Sequence, residues 1–324
     1  MTAKNKKRAM RIATILGLAY LLPNLLGFLV FTAGPVIFSF GASLTNWNIM
    51  NSPPLEFVGF RNYQQVGQSS QFWTFFINTV YFMAFSPVGI VGSLVVALLL
   101  DSRLRGMTLF RTLLYLPSFT AGVAIMIMWK GLYNPDHGLI NACLRGVFDL
   151  FSLPFQGPGW LQSTQNLMGL HPEKIAFAVK DIGLGAREAL VFMGFWAGLG
   201  GGNMLLYLAA LTNMPDELIE AASLDGAGPW AVFRHVKWPQ LAPTTFFIVI
   251  MSVIGGFQGG VDSAQVMTGG GPAGTTTTLA YHIFRKSFVE YQFGYASAVA
   301  WVLFAIVFAF SGLLWKFGNK ETNY

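Results

Sequence analysis

The sequence predicts an all-α integral membrane protein with six membrane-crossing helices, and three observations predict it. Of 324 residues, 54% are hydrophobic and only 10% charged, where soluble domains carry roughly 25% charged residues. Apolar runs long enough to cross a hydrocarbon layer of about 30 Å recur along the chain. The basic residues also gather in alternate connections, as they do when a chain is threaded with its positive loops on the inner side.

The first apolar run covers about 13–40 and follows Lys4, Lys6, Lys7, Arg8 and Arg11. A secretory signal would share that basic start, but the apolar part is too long for a signal core, so we expect it to be retained. Further runs cover about 72–100, 107–131, 187–211, 241–259 and 293–317. Pro23, Pro35 and Pro87 fall inside or at the edges of these runs, where neighbouring helices can satisfy the freed carbonyls. With six crossings, Arg103, Arg105, Arg111, Arg234, Lys237, Lys316 and Lys320 join the N-terminal cluster on one side. Both termini are therefore expected in the cytoplasm. This divides the chain into a basic N-terminus (1–12), a membrane domain (13–317) with a cytoplasmic loop at 212–240 and an outer loop at 132–186, and a short tail (318–324).

The net charge of +6 follows this topology and gives no ground for a nucleic-acid partner. One cysteine, Cys143, excludes an intrachain disulfide and a thiolate zinc site, and the four histidines have no ligand spacing. No GxxxxGK[ST] run occurs; Gly269-Gly270-Gly271-Pro272 lacks the following Lys and a preceding strand. Nothing is arranged as a catalytic triad or carboxylate pair, so the chain is expected to be non-catalytic and to hold no cofactor of its own.

The cytoplasmic loop carries the most specific signal. Pro215 pre-sets a first helical turn, Asp216 and Glu217 suit the positive helix end, and Gly226 suits a left-handed stop. Between them Ala221 and Ala222 leave a low-relief face beside Glu220. The order Glu220-Ala221-Ala222, then Asp225-Gly226-Ala227, then Trp238-Pro239 resembles the signature loop of binding-protein-dependent ABC importer permeases. A generic amphipathic connector would share parts of this pattern, but other segments extend the resemblance along the chain. Leu44-Thr45-Asn46-Trp47, Phe57-Val58-Gly59-Phe60-Arg61-Asn62-Tyr63, Tyr133-Asn134-Pro135-Asp136 and Met267-Thr268-Gly269-Gly270-Gly271-Pro272 are similar to the carbohydrate-uptake branch, the maltose and glycerol-phosphate permease relatives. Only about 163–185 departs from it, as an insertion in which Pro172 to Lys180 is expected to form a short helix.

The resemblance implies a type I ABC importer permease fold and one of two permease subunits in a heterodimer. It implies two ATP-binding subunits that hold ATP and Mg, a periplasmic or surface solute-binding protein, and a saccharide ligand. The coupling residues would be Glu220, Ala221, Ala222, Asp225 and Gly226. By the same resemblance, ligand-contacting positions fall near Phe195, Ala197, Leu199 and Gly202 on the fourth span, and at Ser252, Gly255, Gly256 and Gly259 on the fifth. Trp196, Asn203, Phe257 and Gln258 are available for ring stacking and hydroxyl contacts. Gly194, Gly198 and Gly202 have small-xxx-small spacing, which favours helix packing there. The glycines of the fifth span suggest a widened cavity instead, and a ligand larger than a disaccharide. Lys130, Lys180 and Arg187 near the outer mouth leave an acidic oligosaccharide open, although Glu188 and Asp181 offset them and interfacial snorkelling explains them equally. An ion-coupled secondary sugar transporter is the competing class. Such proteins place ionisable groups at mid-membrane, whereas Asp101, Lys130, Arg187 and Asp262 lie near span ends.

Overall fold

A computed structural model describes residues 3–50, 54–101, 106–120, 122–171, 176–177 and 182–318. Arg103, Arg105, Lys180, Asp181, Lys320 and residues 319–324 of the tail lie outside the described residues, as do the side chains of Lys4, Lys6, Lys7, Arg8 and Arg11.

The chain forms sixteen α-helices among the described residues: α1 (Ala3–Phe28), α2 (Gly34–Ser43), α3 (Arg61–Gln68), α4 (Ser70–Ala84), α5 (Ser86–Leu100), α6 (Met107–Tyr115), α7 (Gly122–Leu132), α8 (Leu139–Leu150), α9 (Ala186–Leu199), α10 (Gly202–Thr212), α11 (Asp216–Leu224), α12 (Pro229–Val232), α13 (Trp238–Gln258), α14 (Val261–Ser263), α15 (Leu279–Phe284) and α16 (Phe293–Gly318). Five helical runs are long and apolar enough to cross a membrane: Leu16–Ser43, Ser70–Leu100, Ala186–Thr212, Pro229–Thr268 and Phe293–Lys316. The third expected span is a broken one, with Met107–Ser118 and Gly122–Leu132 meeting at 90°. Its break follows a 3-10 turn over Leu116–Phe119 that contains Pro117, after which Thr120 is extended. Counting that pair as one gives the six crossings that the sequence predicts.

Proline shapes two further spans. A π-helical turn over Leu29–Ala33 ends just before Gly34-Pro35, and another over Phe233–Lys237 ends just before Trp238-Pro239. In each, the residue before proline donates its N–H five residues back, Gly34 to Leu29 and Trp238 to Phe233. A proline ring crowds the carbonyl four residues earlier, and the wider turn gives that carbonyl room. The helix therefore survives as a bent run.

The chain divides into two compact units, 1–67 with 286–301 and 68–285 with 302–324. In the first, the chain leaving α2 is held by Asn62, whose Nδ2 donates to the Ser43 and Thr45 carbonyls at 2.8 Å each. Trp47 stacks on Phe293 with ring centroids 4.9 Å apart. Trp301 donates to Ser39 Oγ at 3.2 Å.

The second unit holds two hydrophobic clusters. Leu94, Ala97 and Leu100 of α5 pack with Met204, Tyr207, Leu208 and Leu211 of α10 and with Leu241 and Ile248 of α13. A second cluster gathers Tyr133, Trp160, Met267 and Ala189, Leu190 and Met193 of α9. In the insertion Leu170–His171 (β1) pairs antiparallel with Ala176–Phe177 (β2), so those two residues of the helix expected over Pro172 to Lys180 are extended; 172–175 and 178–180 lie outside the described residues.

Candidate coupling loop and translocation pathway

α11 (Asp216–Leu224) is the helix expected in the loop. Pro215 lies one position earlier than expected, as its extended N-cap, with Asp216 and Glu217 in the first turn. At the other end Asp225 caps the helix and Gly226 sits at φ +80°. The Gly226 N–H donates to the Ser223 carbonyl at 3.1 Å and the Ala227 N–H to the Ala222 carbonyl at 3.0 Å. These two bonds form a Schellman motif, which satisfies carbonyls that a bare helix end leaves open.

The exposed side of α11 carries Glu217, Leu218, Glu220, Ala221 and Leu224, while Ala222 is half-buried. Leu224 is 89% exposed, which leaves a large apolar side chain unburied within this chain. Half-buried Ile219 and exposed Ser223 line a groove of about 740 Å³, walled by Val91, Val95 and Leu98 of α5 and by Trp230 and Phe233. The loop is mechanically tied to the span that follows it. The helical run restarts at Pro229 and continues into the fifth span, so this span begins earlier than the sequence suggests. Lys237 Nζ bonds Asp101 Oδ2 at 2.8 Å, and Arg111 donates to the Leu100 carbonyl at 2.7 Å. Both cations meet the negative end of α5.

The pathway residues divide between two adjoining cavities. Gly256 and Gly259 line one of about 180 Å³ with Phe82, Met83, Leu190, Gly260, Ser263, Thr276 and Thr278. Phe195 lines a second, of about 260 Å³, with Phe82, Phe85, Ser86, Gly89, Leu190, Val191 and Gly194. Neither cavity is lined by Ser252, Gly255, Gly202, Asn203 or Trp196. Ser252 and Asn203 are half-buried, Gly255 and Gly202 are exposed, and Trp196 packs edge-on against Trp129 at 5.6 Å. Phe257 is buried against Phe310.

On the glycine stripe of the fourth span, a Cβ at Gly194, Gly198 or Gly202 would meet nothing within 4 Å among the described residues. Close approach occurs off the stripe. A Cβ at Gly200 would overlap the Leu114 carbonyl oxygen, and one at Gly92 would overlap Leu199. Gly200 and Gly201 also interrupt the helix between α9 and α10. On the fifth span a Cβ at Gly256 would come within 2.9 Å of Met83 Cγ, so that glycine both packs and lines the cavity.

A buried polar network beside the first cavity was not legible in the sequence. Arg187 and Glu188, at the start of α9, are each 1% exposed. Arg187 donates to the Thr275 carbonyl at 3.1 Å and to Asn78 Oδ1 at 2.9 Å, and its guanidinium lies over the Tyr81 ring. Asn78 donates in turn to the Gly274 and Thr277 carbonyls. Glu188 accepts from the Tyr81 hydroxyl and from the Leu167 and Gly185 amides. Arg187 is therefore a pin for the 274–278 segment rather than an exposed cation at the mouth, which corrects the expectation for that residue.

The model of the family described as "Binding-protein-dependent transport system inner membrane component" matches residues 72–316. The chain is 30% identical over 327 residues to the probable ABC transporter permease protein YesP of Bacillus subtilis, covering 99% of this chain and 96% of that one. It is 28% identical over 270 residues to the sn-glycerol-3-phosphate transport system permease protein UgpA of Yersinia pestis, covering 83% and 82%. Its fold is similar to that of a chain from a bacterial ABC transporter involved in import of the acidic polysaccharide alginate, with a TM-score of 0.78 at 18% identity over 98% of this chain and all of that one. A second structure, of a bacterial alginate ABC transporter with its pentasaccharide-bound periplasmic protein, aligns at a TM-score of 0.75 and 20% identity over 99% and 98%. With its helical spans and its capped loop helix, the chain is a multi-pass permease subunit and belongs to the family of binding-protein-dependent transport system inner membrane components.

Proposed function

We propose that the chain forms half of the translocation pathway of an ATP-driven oligosaccharide importer in the bacterial cytoplasmic membrane. A second permease subunit completes the pathway, two ATP-binding subunits hold ATP and Mg, and a solute-binding protein delivers the ligand. The observation that carries this reading is α11, a Schellman-capped helix presenting Glu220, Ala221 and exposed Leu224 and leading within a few residues into the fifth span. A short rigid helix seated on an ATPase converts closure on nucleotide into rigid-body motion of the spans. Glu220 makes a charge-assisted contact with a basic residue of that ATPase, Ala221 and Ala222 let its backbone approach, and Asp225 with Gly226 turns the chain out of its cleft. The loop 212–240 and both termini lie in the cytoplasm, and the loop 132–186 lies outside.

Support for a saccharide comes from the alginate taken up by the transporters of similar fold and from the chemistry of the two cavities, which offer aromatic rings, hydroxyls and bare backbone. The pathway residues are Phe195, Gly256 and Gly259 at the cavities, with Trp196, Gly202, Asn203, Ser252 and Gly255 facing the half supplied by the partner. ATP hydrolysis by the reconstituted complex tests this, measured with the binding protein and a panel of neutral oligosaccharides, acidic oligosaccharides and sn-glycerol-3-phosphate. Stimulation by an oligosaccharide is expected. Stimulation by sn-glycerol-3-phosphate alone would overturn the ligand class. Gradient-driven uptake by vesicles holding only this chain would overturn the mechanism in favour of ion coupling.

A further inference from the structure

The first compact unit contains a polar cavity that the coupling mechanism does not use. It measures about 200 Å³ and lies where the chain leaves α2 and enters α16. Its walls include the rings of Trp47 and Tyr295 and the side chains of Asn48, Arg61, Asn62 and Gln292. Trp47 is fixed by stacking on Phe293 and by an edge contact with Phe38, so its remaining surface is pre-set.

Much of the hydrogen-bonding capacity at this cavity is uncommitted. Asn62 is 7% exposed; its Nδ2 is spent on the Ser43 and Thr45 carbonyls, while its Oδ1 accepts no hydrogen bond among the described residues. Asn48 Oδ1 accepts from the Met50 amide at 2.9 Å, and its Nδ2 has no hydrogen-bond partner among the described residues. The side chains of Arg61 and Gln292 engage no hydrogen-bond partner among the described residues. The unit's two carboxylates are Glu56 and Glu290. Glu290 is bound by Lys286 at 2.6 Å, and no salt bridge joins Glu56 to Arg61 among the described residues.

Two aromatic rings, that of Tyr295 with Lys286 Nζ 5.8 Å from its centroid, carboxamide donors and acceptors and one guanidinium with no ion pair among the described residues are the groups that recognise a sugar ring bearing a carboxylate. The rings cover the C–H faces, the amides take the hydroxyls, and the guanidinium takes the carboxylate bidentately. The volume suits a single pyranose. We infer that this cavity is a second saccharide subsite, specific for one acidic sugar residue and separate from the cavities lined by Gly256 and Phe195. In the proposed orientation α2 ends and α16 begins at the outer face, the side from which a saccharide arrives. The inference rests on the saccharide-importer reading for the origin of its ligand, but binding here needs neither ATP nor the binding protein.

The test is direct binding to the whole complex in nanodiscs of zwitterionic lipid, without binding protein or nucleotide, by calorimetry. The probes are a galacturonic acid trisaccharide and maltotriose. We expect the acidic probe to bind more tightly, and Arg61→Gln to weaken it about tenfold, the order expected for losing one charge-assisted pair, while leaving maltotriose unchanged. Gln292→Ala should weaken both probes. Ligand-stimulated hydrolysis with short substrates should survive both substitutions, which separates failure here from failure of the importer reading. Equal affinity of wild type and Arg61→Gln for the acidic probe would overturn the assignment. So would displacement of the bound trisaccharide by anionic phospholipid but not by excess monomeric galacturonate, which would make the cavity a lipid headgroup site.

Discussion

Gly226 and Gly200 are both indispensable glycines for opposite reasons, and the difference sets what their substitution does. Gly226 sits at φ +80° with nothing within 4 Å of where a Cβ would lie. A β-branched residue there is strained but not crowded, at a cost on the order of 1–3 kcal/mol. Gly226→Val should therefore leave the spans inserted and the complex assembled while lowering the ratio of ligand-stimulated to basal ATP hydrolysis. Glu220→Lys should do the same by reversing the contact charge. Normal stimulation in both variants at normal expression would reduce α11 to a connector. Gly200 has an ordinary φ of −97° but no room, because the Leu114 carbonyl occupies the site of its Cβ. Gly200→Ala should lower the melting temperature of the purified complex, since overpacking costs about 1–3 kcal/mol, whereas Gly194→Ala should be neutral in the isolated chain. Equal melting temperatures for the two would remove the close approach. The first glycine was legible because its cap is local. The second was not, because the atom that forbids a side chain comes from a distant segment, and spacing alone pointed to Gly194, Gly198 and Gly202.

Among elements, the fifth span shows how far the pattern could be read. Its apolar run located the middle of the helix, but the start at Pro229 was hidden because Arg234, His235 and Lys237 read as a polar loop. The π turn over Phe233–Lys237 keeps them helical and brings Lys237 to Asp101. Spacing of three and four residues would put Ser252, Gly255 and Gly259 on one face of a continuous helix, yet the helix ends at Gln258, and Gly259 turns extended. Gly256 rather than Gly255 thereby joins Gly259 at the cavity. Gly256→Ala should press on Met83 Cγ, and Met83→Ala in the same chain should relieve it. Uptake measured against saccharide length distinguishes the roles: Gly256→Trp with Met83→Ala should exclude long substrates before short ones if the cavity carries ligand. Equal loss at every length would return Gly256 to packing. The pin at the start of α9 was invisible to motif reading because its partners, Asn78 and the Thr275 carbonyl, lie far away in sequence. Arg187→Met would leave Asn78 and the Thr275 carbonyl without their buried donor, at about 1–3 kcal/mol for each unsatisfied group. Reduced thermal stability of the complex, with 274–278 more open to hydrogen exchange, is the expected result; unchanged exchange there would show that the segment holds without the pin.

At the scale of the whole molecule, membrane orientation decides whether the proposed coupling loop faces the cytoplasm and the proposed saccharide subsite the outside. The chain carries its own probe for it. Cys143 is its sole cysteine, is exposed, and lies on α8, between the broken third span and the fourth. If positive loops face the cytoplasm, α8 lies outside and α11 inside, one crossing apart. A membrane-impermeant maleimide should then label Cys143 in right-side-out vesicles and fail to do so in sealed inside-out ones. Replacing it as Cys143→Ser and adding Ser223→Cys on the exposed face of α11 should reverse both results, because the fourth span separates the two positions. Adding the ATP-binding subunits should then protect position 223 while leaving position 143 of the native chain reactive. Labelling of Cys143 from the inner side would invert the topology, put the Glu220 helix out of reach of any ATPase, and overturn the coupling mechanism together with the outer subsite. Labelling of Cys143 from outside with no protection at 223 would keep the topology and remove only the docking role of α11.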